Sequence, residues 1–156
     1  MNRLPVLALV LLCGCSGRSS TPTEAERVRG HWVVVDFHSP KETEDRGQRR
    51  KHAIVTEETW SEQFRGTDFE DFEYRLDPSK SPKEIDLIFT APNAKRLTVR
   101  GIYEIVPDQF GDRMRVCLGS APVVQTGTGV AYVESVRPTA FEPKPGALIT
   151  YRRKTE

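Results

Sequence analysis

Seven positions or short stretches in this 156-residue chain carry side chains suited to chemistry. They are His31, His38 and His52; Cys13 and Cys15 near the N-terminus; Cys117; and the acidic run DFEDFE, Asp68 to Glu73. Histidines suggest a transition metal, and a structural or catalytic zinc needs three or four N, S or O ligands converging on one point. His31 and His38 stand an odd number of residues apart in one predicted strand, so a regular pleat sends them to opposite faces. No second cysteine or clustered carboxylate completes a ligand set at the usual spacing, and no metal site is expected. Cys117 would be a nucleophile if a histidine folded against it. Only Arg113 and Arg115 lie nearby to favour its thiolate, and a single cysteine in an alternating strand reads as a small buried hydrophobe.

The carboxylates Asp68, Glu70, Asp71 and Glu73 suggest calcium or a paired-acid hydrolase. The run lacks the glycine and the ligand spacing of an EF-hand loop, and Phe69 and Phe72 interrupt it with core-type side chains. A strand entered through a turn accounts for it better. The GTG of Gly127 to Gly129 lacks both the Lys-Ser/Thr ending and the following helix of a phosphate loop. The sequence therefore shows no catalytic set, and neither an enzymatic role nor a cofactor is expected.

Cys15 carries a different chemistry. Arg3 supplies a positive start and Leu4 to Leu12 an apolar run, too short for a bilayer span of about 20 apolar residues but right for a secretory signal. Leu12, Cys13, Gly14 and Cys15 resemble the bacterial lipobox, with a small residue before the cut and cysteine after it. Its sulfur would accept a diacylglycerol group as a thioether. Cys13 fits less well because Leu12 before it is not small. Residues 1–14 then read as a lipoprotein signal peptide. The acyl chains on Cys15, each buried methylene worth about 0.8 kcal/mol, anchor the protein to a membrane of the cell envelope. With Cys13 removed and Cys15 lipidated, Cys117 is the remaining thiol, so no disulfide is expected inside the mature chain.

Lys and Arg number 23 against 22 Asp and Glu, and removal of Arg3 makes the two equal. Such a balance gives no electrostatic case for nucleic acid. Residues 15–29 are small and polar and read as a lipidated tether, with one helical turn at Thr23 to Val28. Residues 30–156 read as one domain.

From Gly30 onward the dominant period is two, the strand signal. HWVVVDFH (31–38) is nearly continuous apolar sequence and predicts a strand buried on both faces over part of its length. Phe72, Tyr74 and Leu76 alternate with polar residues, as do Ile85, Leu87 and Phe89. Leu97, Val99, Gly101, Tyr103 and Ile105 follow, then Met114, Val116 and Leu118, and Leu148 to Arg153 form a last strand. KETEDRGQRRKH, Lys41 to His52, reads as a solvated loop, and strands within 119–136 are not assignable by pattern. In LDPSKSPKEIDLIF, Leu76 to Phe89, Asp77, Pro78 and Ser79 suit a turn in which the Asp side chain bonds backbone two residues on. Lys80 and Lys83 are expected to pair with Asp77, Glu84 or Asp86. About eight short strands without a long helix predict an all-β fold, a single small antiparallel barrel. Trp32, Phe37, Trp60, Phe64, Phe72, Tyr74, Phe89 and Tyr103 are expected to fill its core or line a cavity in it.

Gly30, His31 and Trp32 make a GxW at the first strand, and the final strand carries Arg152 and Arg153. This resembles lipocalin-like barrels, in which such a tryptophan packs at the closed end beneath an arginine of the last strand; Trp32 and Arg152 are assigned as that barrel-closing pair. In order, VRGHW, YRLDPSKSPKEIDL, GIYEI, MRVCL and RPTAF resemble an uncharacterised bacterial domain family that is expanded in planctomycetes and often carried on lipoproteins. The resemblance, from about Val28 to Arg153, implies a small lipocalin-like β domain and carries no catalytic residues. The expected function is a lipid-anchored, non-enzymatic envelope protein facing the periplasm or exterior that binds a small apolar ligand or an envelope protein partner. The alternative is a solid barrel serving as an interaction module through Lys41 to His52 and Thr126 to Gly129.

Overall fold

The computed structural model describes residues 21–39, 50–64, 69–91, 95–120, 123–126, 129–144 and 146–155. The lipobox cysteines Cys13 and Cys15 lie outside the described residues. A short helix, α1 (Glu24–Val28), precedes ten strands: β1 (Gly30–His38), β2 (Arg50–Val55), β3 (Thr59–Phe64), β4 (Phe69–Asp77), β5 (Lys83–Thr90), β6 (Arg96–Asp108), β7 (Gly111–Leu118), β8 (Val123–Thr126), β9 (Gly129–Tyr132) and β10 (Ala147–Arg153). Thr23 caps α1 reciprocally with Glu26, its hydroxyl accepting from Glu26 N while the Glu26 carboxylate accepts from Thr23 N. Such capping lets a single turn persist where propensity alone would not hold it.

Eight strands close into an antiparallel barrel in the order β1-β10-β7-β6-β5-β4-β3-β2. From β1 through β7 each strand pairs with its sequence neighbour. The β8–β9 hairpin forms a separate two-stranded sheet, and β10 then closes the ring between β7 and β1. The all-β, lipocalin-like barrel expected from the alternating pattern is what the chain forms.

Alternation sends one set of side chains inward. Trp32, Ala53, Trp60, Met114 and Ile149 are wholly buried there, and Ile85, Tyr103, Val116 and Tyr151 are nearly so. Gly101 sits where a Cβ would lie 2.8 Å from the Cys117 carbonyl and 3.1 Å from an Ile85 methyl, so the wall of β6 needs glycine at that point.

Over the outer face of β5 to β7, residues 134–142 lie as a strap. Arg137 holds it by donating to the Ile85 carbonyl at 3.1 Å, to the Gly101 carbonyl and to Asp86 Oδ1 at 2.6 Å, with Glu84 3.3 Å away. Arg100 N donates to Ser135 Oγ at 3.1 Å, and Arg115 stacks 4.8 Å over Phe141. Ile102 and Cys117 point outward but are buried beneath this strap.

Several expectations are corrected. β1 is not buried on both faces: only Trp32 is fully buried, and Val35 is 45% exposed, because among the described residues no second layer covers that wall. The charged stretch assigned as a loop through His52 gives way to β2 at Arg50. Phe69 faces outward and is 40% exposed, since it stands an odd number of residues from Phe72. Lys83 pairs with Glu24 of α1 at 2.6 Å rather than within its own hairpin, and Glu84 and Asp86 pair with Arg137 instead. The Asp77 turn does form, with Ser79 N and Oγ donating to Asp77 Oδ1 at 3.1 and 2.5 Å; these bonds hold the Asp77 carboxyl below its ordinary pKa.

Candidate functional site: the barrel interior and its two ends

One end of the barrel is plugged. α1 crosses the pole where β1 begins and β10 ends. The Trp32 indole N–H donates to the Val28 carbonyl at 2.7 Å, and Glu24 and Arg27 reach Lys83 on β5 and Asp112 on β7. The arginine over Trp32 is Arg153, its guanidinium 4.3 Å from the ring. It donates to the Arg29 carbonyl at 2.7 Å and to the Arg27 carbonyl. This corrects the assignment of Arg152. In β10 the inward side chains are Ile149, Tyr151 and Arg153, so Arg152 turns outward, 5.2 Å over Phe110 and 4.0 Å from Asp108.

Above this floor the lumen holds a carboxylate. Glu62, on β3, is only 3% exposed, and its Oε1 accepts from Trp60 Nε1 at 3.1 Å and from the Tyr151 hydroxyl at 2.8 Å. β3 and β10 are not neighbours in the barrel, so the Tyr151 bond crosses the interior. The rings of Trp60 and Tyr151 meet edge to face at 5.9 Å, and Trp60 meets Tyr74 likewise at 6.3 Å. A buried carboxyl is costly to strand without hydrogen bonds; two aromatic donors on one oxygen meet that need and fix the waist of the barrel.

Toward the other end, where β1 finishes and β10 starts, the inward side chains change character. Phe37, Phe72, Phe89, Val99 and Ala147 face the interior and are half-buried. Phe72 and Phe89 pack edge to face at 6.1 Å. An apolar rim above a polar contact at the waist is the usual composition of a small-molecule site. Tyr74 and Leu76 are half-buried at the plugged end, where the Tyr74 hydroxyl donates to the Thr56 carbonyl at 2.7 Å. Trp32, Trp60 and Tyr103 are buried core residues as expected of the aromatic set.

The remaining candidates separate. His31 and His52 meet on the outer wall, Nε2 to Nδ1 at 3.2 Å. Burial, then the charges of Lys154 and His52, lowers the pKa of His31. His38 lies apart and contacts Asp36 at 3.0 Å; a bulge between Val34 and Asp36 has changed the pleat between the two histidines of β1. Among the described residues no three His, Cys, Asp or Glu side chains converge as metal ligands. Cys117 donates to the Glu142 carbonyl at 3.0 Å, and burial raises its pKa. Within the acidic stretch, Glu73 pairs with Arg96. Gly127 and Thr128 lie outside the described residues.

Glu62 and Tyr151 were not among the sequence-derived candidates. The signal for Glu62 was its position two residues after Trp60, which in a strand is the same face. For Tyr151 it was the same relation to Ile149. No protein-family model, curated protein or solved structure matches the chain.

Proposed function

We propose that the protein is a non-enzymatic binding module of the cell envelope, anchored through a lipid on Cys15, whose barrel takes a small apolar ligand at the end opposite α1. The observation that carries this reading is the rim opposite α1, where the inward apolar side chains Phe37, Phe72, Phe89, Val99 and Ala147 retain solvent contact beside the buried Leu97 and Leu118. Apolar side chains that face into a barrel and stay wet can be dried by a ligand, at about 25 cal/mol for each Å² removed from water. The filled waist favours a shallow site. The chain enters the barrel at the plugged pole, so a tether there leaves the other pole facing away from a membrane.

A fluorescent fatty-acid analogue tests the ligand half. Saturable one-to-one uptake is expected, and Ala147→Phe, which fills the rim, should abolish it while leaving the unfolding midpoint within a few degrees. Failure of the wild-type protein to take up probe would defeat this reading and favour the solid interaction module. The anchor is tested separately: Cys15→Ala should retain the mass of the full precursor, and an unchanged mass shift and membrane association would refute lipidation.

A further inference from the structure

We propose that His31 and His52 form a two-imidazole site for a divalent transition-metal cation of the zinc, copper or nickel kind, bridging β1 and β2 on the outer wall of the barrel. The register supplies the meeting: Val33 pairs with His52 and His31 with Ile54, which makes the histidines diagonal neighbours on one face, within reach of each other for ring-sized side chains. Their nitrogens stand 3.2 Å apart, Nε2 to Nδ1. Two imidazoles each bound about 2.0–2.1 Å from a tetrahedral zinc stand roughly 3.3–3.4 Å apart. The pair thus holds almost the separation of two bound ligands, and the ring that donates in this hydrogen bond ligates once its proton sits on its other nitrogen.

Orientation agrees. The ring planes are tilted by 59° with centroids 5.1 Å apart. Parallel stacked imidazoles cannot both aim an in-plane lone pair at one ion, and a tilted pair can. Both residues lie on paired strands rather than loops, and the His31 carbonyl is further pinned by Lys154 N at 2.8 Å. Each side chain is half-buried, so one face of the pair is open for the water ligands that complete a tetrahedral shell. The charge of Lys154 opposes a second cation, but with burial it also favours the neutral imidazole that ligates. Because no third side chain converges among the described residues, binding is weaker than at a three-ligand centre. Its effect is to clamp β1 to β2.

The full-length protein in detergent, stripped with chelator, is titrated with Zn2+ alone. One equivalent should bind saturably, and the folding equilibrium should rise roughly 100-fold at free Zn2+ 100 times Kd. His31→Gln and His52→Gln should each abolish both effects, while His38→Gln keeps them. Equal stabilisation of wild type and the His31→Gln/His52→Gln double variant would overturn the site, as would failure of the wild type to saturate. Cu2+ spin resonance on the wild type gives a readout independent of variant folding: hyperfine coupling to two imidazole nitrogens is expected, and its absence would also overturn the proposal.

Discussion

The Arg153 guanidinium stands 4.3 Å over the Trp32 indole and donates to the main-chain carbonyls of Arg27 and Arg29. One side chain therefore joins the last strand, the first strand and the exit of α1. Arg suits this place better than Lys because its planar fork can stack and donate in two directions at once.

Replacing Arg153 with Met should cost about 1–3 kcal/mol, since stacking and two hydrogen bonds go together. Arg152→Met, at an outward and partly exposed position, should cost under about 1 kcal/mol. Trp32→Ala should cost about 3–5 kcal/mol. Urea unfolding ranks the three, and an Arg152 loss exceeding that of Arg153 would contradict the closure described.

Tyr151→Phe removes the hydroxyl that donates to the buried Glu62 carboxylate across the interior and should cost about 1–3 kcal/mol. Tyr74→Phe removes a bond to the Thr56 carbonyl in a more exposed setting and should cost about 0.5–1 kcal/mol. Equal losses in denaturant titrations would show that the bond across the interior adds nothing.

Arg137→Ala should release the strap. Its guanidinium reaches two carbonyls and two carboxylates, so a loss of roughly 1–3 kcal/mol is expected. Amide exchange over 134–142 should speed up well beyond that of β5 and β6. Arg137→Lys should fail to restore protection, because one ammonium cannot span those partners.

The Cys117 thiol, raised in pKa by burial, should resist iodoacetamide in the folded protein and react in urea. The sign of the pH effect follows from linkage. With the folded pKa above the unfolded one, the contribution is complete below the ordinary value of 9.0 and is lost as pH rises above it. Stability of wild type relative to Cys117→Ala should therefore fall as pH rises above 9.0; a flat difference would contradict the burial argument.

The elements that could be read from sequence are those whose inward side chains are uniformly apolar. β5, β6 and β7 show their alternation because Ile85, Leu87, Tyr103, Ile105, Met114 and Val116 share one face. β3 was obscured because its inward face includes Glu62, a charge that breaks the pattern and is also the centre of the polar waist. Arg153 was recoverable from parity with Tyr151 and Ile149, yet two adjacent arginines offered no chemical reason to prefer either. The His31–His52 meeting depends on the β1–β2 register, and the bulge beyond Val34 has no local marker. The strap has no period at all: Arg137 is fixed by carbonyls of Ile85 and Gly101, far away in the chain.

The order of the strands has a consequence for how the chain reaches this state. Every barrel pairing up to β7 joins sequence neighbours, but closure joins the earliest strand to the latest. Until Ala147 to Arg153 arrives, β1 and β7 are both open edges able to recruit strands from other molecules. A chain stopped before Ala147 thus keeps two unpaired edges, and the last strand acts as the latch that removes both at once.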